Sequence, residues 1–280
     1  MNQWSNTIPI TSDANGAWIS VAEAAHSEDD LNPTPHRVLP MCPRSAAQQS
    51  QLNAEADKRR QMDEYYAQFV PKTVQHLVAA NPKAPELSMR ECDVSVLFID
   101  ISGYSTLSEK MSPAALNTLV EQYFSAFLDC IYKARGDINE IAGDGLMAIF
   151  QGPPPKQHAV GATAAALDIL AATEALNADN HEQPLTVHMG LNSGVALVGL
   201  TRLSGQYGMR WTFTARGPMT NLAARLADGA KPGQILVGPE TVRRLSKRYL
   251  FQMLGSERFK NIAEPIDIYC LLGPSGLDSG

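Results

Sequence analysis

Two acidic residues stand where an ionised side chain is costly. Asp100 closes the apolar run VSVLFID (94–100), and Asp144 lies between two apolar segments in IAGDGLMAIF (141–150). A carboxylate at the edge of a buried strand needs positive compensation. Taken singly, Asp144 reads as a turn former and Asp100 as a cap. If neighbouring strands bring them to one end of a sheet, the pair reads differently. Two converging carboxylates make a hard-cation site, with water and phosphate oxygens left to complete the shell of Mg²⁺.

A second constellation is TARGPMTNLAARL (214–226), in which Asn221 and Arg225 are four residues apart. On the helix that Pro218 helps to start, that spacing puts them on one face. An amide and a guanidinium held together can engage a ribose oxygen and a phosphate, for which the planar fork of arginine is well matched. In isolation the same pair is an ordinary polar contact on a solvated helix.

The elements that would position these residues follow from pattern. VSVLFID reads as a buried central strand. Ser112-Pro113 supplies an N-cap and a first-turn proline for a helix reaching about residue 135, with Leu116, Leu119, Val120, Tyr123, Phe124, Phe127 and Ile131 as its core stripe. Strands 137–141 and 146–150 flank Gly143-Asp144-Gly145, where the Asp-Gly pair signals a tight hairpin. An Ala-rich helix is expected over roughly 158–177, then strands 185–192 and 195–198. That order predicts an α+β fold with a ferredoxin-like βαββαβ core and helices on one face. Further elements are expected after it: a glycine-punctuated hairpin over 200–213, a helix after Pro218, a strand at 234–237, a helix near 239–248, and strands near 251–254 and 266–272.

Upstream, residues 1–50 are rich in Ser, Asn, Pro, Ala and Gln without sustained period and read as a mostly disordered segment. Residues 51–90 read as a helical linker broken at Pro71. Its apolar spacing fits a helix packed on the domain as well as a signal-transmitting or dimerising one. The catalytic region is expected over 91–273, with a short tail at 274–280. Cys42, Cys92, Cys130 and Cys270 form no CxxC pair and read as thiols of a reducing cytoplasm. No secretory signal is visible, nor a run approaching the roughly 18 apolar residues of a membrane span. The net charge of −6 gives no overall attraction to nucleic acid.

FIDISGYSTLSEK (98–110), IAGDGLMAIF (141–150), HMGLNSGVALVG (188–199) and GPMTNLAARLADGAKPGQILV (217–237) resemble, in order and at fitting intervals, the motifs of class III adenylate/guanylate cyclases. The resemblance covers about residues 92–272. It implies conversion of a nucleoside triphosphate into its 3′,5′-cyclic monophosphate with two divalent cations, Mg²⁺ or Mn²⁺. By the same resemblance Asp100 and Asp144 match the metal-binding aspartates, and Ile101 the residue whose carbonyl also meets a metal. Asn221 and Arg225 match the pair that orients the ribose and stabilises the transition state, and Lys260 a lysine that contacts the terminal phosphates. In the family the site lies between two catalytic domains, which implies a homodimer with composite sites; the hairpin 200–213 resembles the dimerisation arm.

The chain departs from the pattern at three positions. Glu140 stands where adenylate cyclases usually carry a purine-reading lysine, and Thr214 where many carry an aspartate. Glu140 suits the N1–H and N2–H₂ donors of guanine. GTP is therefore the favoured substrate, with ATP next and pyrimidine triphosphates last. His188 stands where many members have a phosphate-touching arginine, and it receives no catalytic role. Two competing readings are a silent nucleotide-binding module, which would need none of the four core site residues, and an RNA-binding ferredoxin-like domain, which would need a basic, aromatic sheet face.

Overall fold

The computed structural model describes residues 10–12, 18–20, 46–83, 85–181, 183–259 and 264–276. The chain divides into two compact units, Met1–Ala56 and Asp57–Gly280. In the first, β1 (Ile10–Ser12) pairs antiparallel with β2 (Trp18–Ser20). Most of the segment expected to lack regular structure lies outside the described residues. The helix α1 (Ala46–Ala67) crosses the boundary between the units and has no buried residue.

α1 ends at Ala67, and Pro71, which has no N–H to continue a helix, is the N-cap of α2 (Lys72–Ala80). The N-terminus of α2 is capped from far along the chain. The buried carboxylate of Asp137 accepts from Lys72 N at 3.1 Å and from Thr73 N at 2.7 Å. The Gln151 amide donates to Thr73 Oγ1 at 3.1 Å, and Val74 is buried against the sheet.

The second unit is built on β3 (Arg90–Ile101), α3 (Tyr104–Lys110), α4 (Pro113–Lys133), β4 (Gly136–Ala142), β5 (Gly145–Gln151), α5 (Pro155–Asp179) and β6 (Val187–Gly205). It continues with β7 (Gly208–Arg216), α6 (Pro218–Gly229), β8 (Ile235–Val237), α7 (Pro239–Leu245), β9 (Tyr249–Glu257) and β10 (Ile266–Pro274). The sheet order is β4-β5-β3-β6-β8-β10-β9, with β7 paired to β6. Its first four strands have the ferredoxin-like order, so the central strand is the one whose penultimate residue is Asp100.

Alternation along β3 separates two cores. Leu97, Ile99 and Ile101 join Leu119, Tyr123, Phe127 and Ile131 of α4 and the alanines of α5 on one face. Val94 and Val96 face the other way, with Met219 and Ala223 of α6. The two core helices thus share one face as expected, but α6 covers the opposite one. Gly190 of β6 makes that possible, because a Cβ there would collide with the backbone of Ala223 and Ala227.

By length and composition α5 is apolar enough to cross a membrane, which the sequence reading had not anticipated. Its apolarity is that of a packing helix: Ala159, Ala162, Ala165, Ala166 and Ile169 are fully buried in the core. Beneath it runs a buried polar network. Ser95 Oγ lies 2.9 Å from His158 Nδ1 and 2.7 Å from Ser193 Oγ, to which Thr241 donates at 2.8 Å. His158 Nε2 stands 3.4 Å from Asp93, which is gripped by both terminal nitrogens of Arg244 at 2.8 and 3.0 Å. These contacts tie α5 and α7 to the sheet.

Candidate active site

Asp100 is the penultimate residue of β3, directly opposite Gly145 on one side and His188 on the other. It has the same parity as Val94 and Val96, so its side chain belongs to the face that α6 covers. The β4–β5 hairpin closes through Gly143 and Asp144, with Ala142 paired to Gly145. The tight turn is where the sequence placed it, but its left-handed residue is Gly143, at φ 63°. Gly145 has a different reason to be glycine: a Cβ there would strike Asp100 Oδ1. Asp144 O accepts from Ile101 N at 3.1 Å, which fastens the turn to the end of β3.

Asp100 and Asp144 are therefore brought together, and their proximity has an electrostatic cost. Burial pushes the Asp100 carboxyl above its usual range; His188 opposes this, while Asp144 and Asp228 add to it. A half-buried carboxylate with two acidic neighbours is a site that favours a cation. The Ile101 side chain is an alkyl group with no donor atom, so only its backbone carbonyl could serve as a ligand. The donors are hard oxygens, and the missing Cβ of Gly145 leaves room for Oδ1 itself. These features fit Mg²⁺ or Mn²⁺. Among the described residues no three His, Cys, Asp or Glu side chains cluster as a metal site, so the remaining ligands would come from water and substrate.

Pro218 starts α6 after Gly217, whose φ of 137° suits glycine. Asn221 and Arg225 lie one turn apart on its exposed face. Arg225 Nη1 donates to Asp228 Oδ2 at 3.0 Å. Asp228 is also the residue through which α6 raises the Asp100 pKa. Glu140 is exposed on β4 opposite Met147, and Thr214 is half-buried on β7 opposite Gly199; the two strands approach each other. Lys260 lies outside the described residues.

Sequence reasoning missed Ser102 and Asp228. It also gave no role to His188, whose position beside Asp100 follows from β3–β6 register. A cleft of about 620 Å³ lies elsewhere, lined by Thr73, His76, Arg90, Cys92 and Asp93 among others. None of the predicted site residues lines it.

The adenylate and guanylate cyclase catalytic domain, as a sequence family, matches residues 88–273. The chain belongs to this family. The cyclase domain is similar to adenylate cyclase 1 of Rhizobium meliloti (strain 1021), 26% identical over 234 residues, covering 81% of this chain and 34% of that protein. It is 25% identical over 245 residues to a terminal-differentiation-specific adenylate cyclase of Dictyostelium discoideum, covering 82% of this chain and 11% of that one. The match thus spans 34% and 11% of the length of these two relatives. Among solved structures, the adenylyl cyclase CyaB of P. aeruginosa superposes with a TM-score of 0.61 at 27% identity, covering 69% of this chain and 100% of that one. A bacterial light-regulated adenylyl cyclase gives 0.68 at 22% identity, covering 79% and 64% respectively, a likeness of fold. The cyclase domain therefore has the architecture expected for an α+β nucleotide cyclase.

Proposed function

We propose that this chain closes a nucleoside triphosphate, GTP by preference, into its 3′,5′-cyclic monophosphate and releases pyrophosphate. The observation that carries the reading is the convergence of Asp144 with Asp100, whose Oδ1 takes the place a Cβ of Gly145 would occupy. Asp100, Asp144 and the Ile101 carbonyl would hold two divalent cations. Bound there, such cations acidify the ribose 3′-hydroxyl and neutralise the triphosphate.

Arg225 presents a guanidinium to the charge that builds on the phosphate oxygens. Asn221 orients the ribose, and Lys260 meets the terminal phosphates. The bond that forms joins the 3′ oxygen to the α-phosphorus, and the one that breaks leads to the β-phosphate. The hydroxyl proton leaves to water or to the departing pyrophosphate, since no side chain is assigned as base.

The site is composite, with Asp100 and Asp144 from one copy facing Asn221 and Arg225 of another. The exposure of Asn221 and Arg225, and of Leu203, Tyr207, Met209 and Trp211 on the β6–β7 hairpin, supports a second copy here. A site completed by a partner also agrees with the placement of the 620 Å³ cleft away from the aspartates.

Glu140 supports guanine, because an ionised carboxylate can only accept and guanine offers two adjacent donors. A second reading, ATP, is favoured by the names of the Rhizobium protein and of CyaB, both adenylate cyclases. Incubation of the purified chain with ATP, GTP, CTP and UTP in Mn²⁺, with products identified by mass, decides between them. Cyclic GMP as main product supports the first reading and cyclic AMP the second. No cyclic product from any triphosphate, with the protein folded and dimeric, refutes the proposed activity.

A further inference from the structure

Asp100 and His188 face each other directly across antiparallel strands β3 and β6. Side chains so placed are close enough to act on one another. The imidazole is held at its other edge: Nδ1 lies 2.9 Å from Ser102 Oγ, while Nε2 lies 4.0 Å from Asp100 Oδ2. Ser102 is itself fixed, its N–H donating to Thr186 O at 2.7 Å. Ser102 and His188 thus form a bracket around the end of β3.

The chemistry of the partners favours one tautomer. A carboxylate only accepts, so the nitrogen facing it is the one that carries hydrogen; Nδ1 is then the acceptor for the Ser102 hydroxyl. At 4.0 Å the Nε2–H is too far for a hydrogen bond and acts on Oδ2 as an oriented dipole. The other oxygen, Oδ1, points to the place where a Cβ of Gly145 would be, beside the Asp144 turn. The two oxygens of Asp100 therefore have different surroundings: Oδ2 is the one nearer the imidazole, and Oδ1 lies against Gly145, beside the Asp144 turn.

We propose that His188, braced by Ser102, is a positioning residue that turns the Asp100 carboxylate so that Oδ1 is presented to the divalent cation. This rests on the reading of Asp100 as a metal ligand. It gives His188 a task different from touching phosphate, the role that arginine at this position has in related sequences.

Glutamine and asparagine separate the two ring nitrogens, since the glutamine amide reaches the place of Nε2 and the asparagine amide that of Nδ1. The full chain, without nucleotide, is titrated with Mn²⁺, and free ion is read from its EPR signal. His188→Gln is expected to bind within about threefold of wild type. His188→Asn and His188→Ala are expected to bind on the order of tenfold to a hundredfold more weakly, the usual cost of losing an outer partner of a metal ligand. Circular dichroism and thermal unfolding confirm that each variant is folded.

Wild-type affinity in folded His188→Ala, or rescue by asparagine rather than glutamine, overturns the proposal while Asp100→Ala still loses the ion. Identical titrations of Asp100→Ala and wild type overturn the underlying metal reading instead. A His188→Ala variant with unchanged Mn²⁺ affinity and a raised KM for the triphosphate identifies a phosphate contact and also overturns it.

Discussion

At the scale of single residues, the site depends on what is missing as much as on what is present. Gly145 has an ordinary backbone, so Ala there is strained only by its Cβ against Asp100 Oδ1. Gly145→Ala is expected to leave the fold and thermal stability close to wild type. It should lower kcat about a hundredfold, the scale of loss when a reacting group is displaced by an ångström. Steady-state kinetics alongside thermal unfolding checks this, and near-normal kcat would contradict the geometry. The acids themselves were legible, because a carboxylate ending an apolar strand is costly without a purpose. The reason for Gly145 was not, since a glycine beside a turn acid reads as turn chemistry until the facing strand is in place.

His158 supports a prediction about pH. Burial is the largest influence on its imidazole and lowers its pKa from the ordinary 6.5; Arg244 acts the same way and Asp93 opposes them. The unfolded chain therefore takes up a proton near pH 6.5 while the folded chain still resists it. Stability contributed by the neutral ring is complete above 6.5 and is lost as pH falls toward the folded pKa. Urea unfolding between pH 7.5 and 5 should show a loss on acidification that His158→Gln reduces. A His158→Gln variant with the wild-type slope would assign the loss to other groups.

At the scale of elements, Pro113 and Pro218 each stand at the first turn of a helix as expected, and Pro71 separates α1 from α2, whereas α5 already opens at Pro155, ahead of the expected residue 158. Strand β6 was harder to read. Separate strands over 185–192 and 195–198 and a hairpin from 200 were expected, yet one strand runs unbroken from Val187 to Gly205 with Gly194 and Gly199 inside it. Both glycines take left-handed φ values, 150° and 152°, and a Cβ on Gly199 would crowd the backbone of Ser88 and Met89. They are bends and close approaches within one strand. The docking of α2 was equally hidden, because its cap lies 64 residues away in sequence at Asp137. Asp137→Ala leaves two backbone donors without their acceptor and should lower stability by about 1–3 kcal/mol. Chemical denaturation measures it; a change below about 0.5 kcal/mol, the range of neutral surface substitutions, would show that α2 is not held this way.

At the scale of the whole molecule, the strand order was legible and the face on which α6 packs was not. Alternation within β3 gives each face its apolar set, but only the structure assigns α6 to the face of Asp100. Within one chain Asp228 of α6 acts on Asp100, while Asn221 is exposed and Arg225 is exposed and paired with Asp228. If a second copy supplies the missing half, inactivating substitutions should complement across chains. Asp100→Ala homodimers lack the metal ligand in both sites, and Arg225→Ala homodimers lack the guanidinium in both. A mixed dimer concentrates both defects in one site and leaves the other intact. Activity should therefore return on mixing, up to about half the wild-type value per heterodimer, since a twofold assembly has two equivalent sites. Differently tagged copies, captured in sequence and assayed for cyclic nucleotide, provide the measurement. Heterodimers that are isolated yet inactive would mean that the aspartates and the Asn/Arg pair of one chain serve the same site, which would require α6 to bring Arg225 off Asp228 and over Asp100.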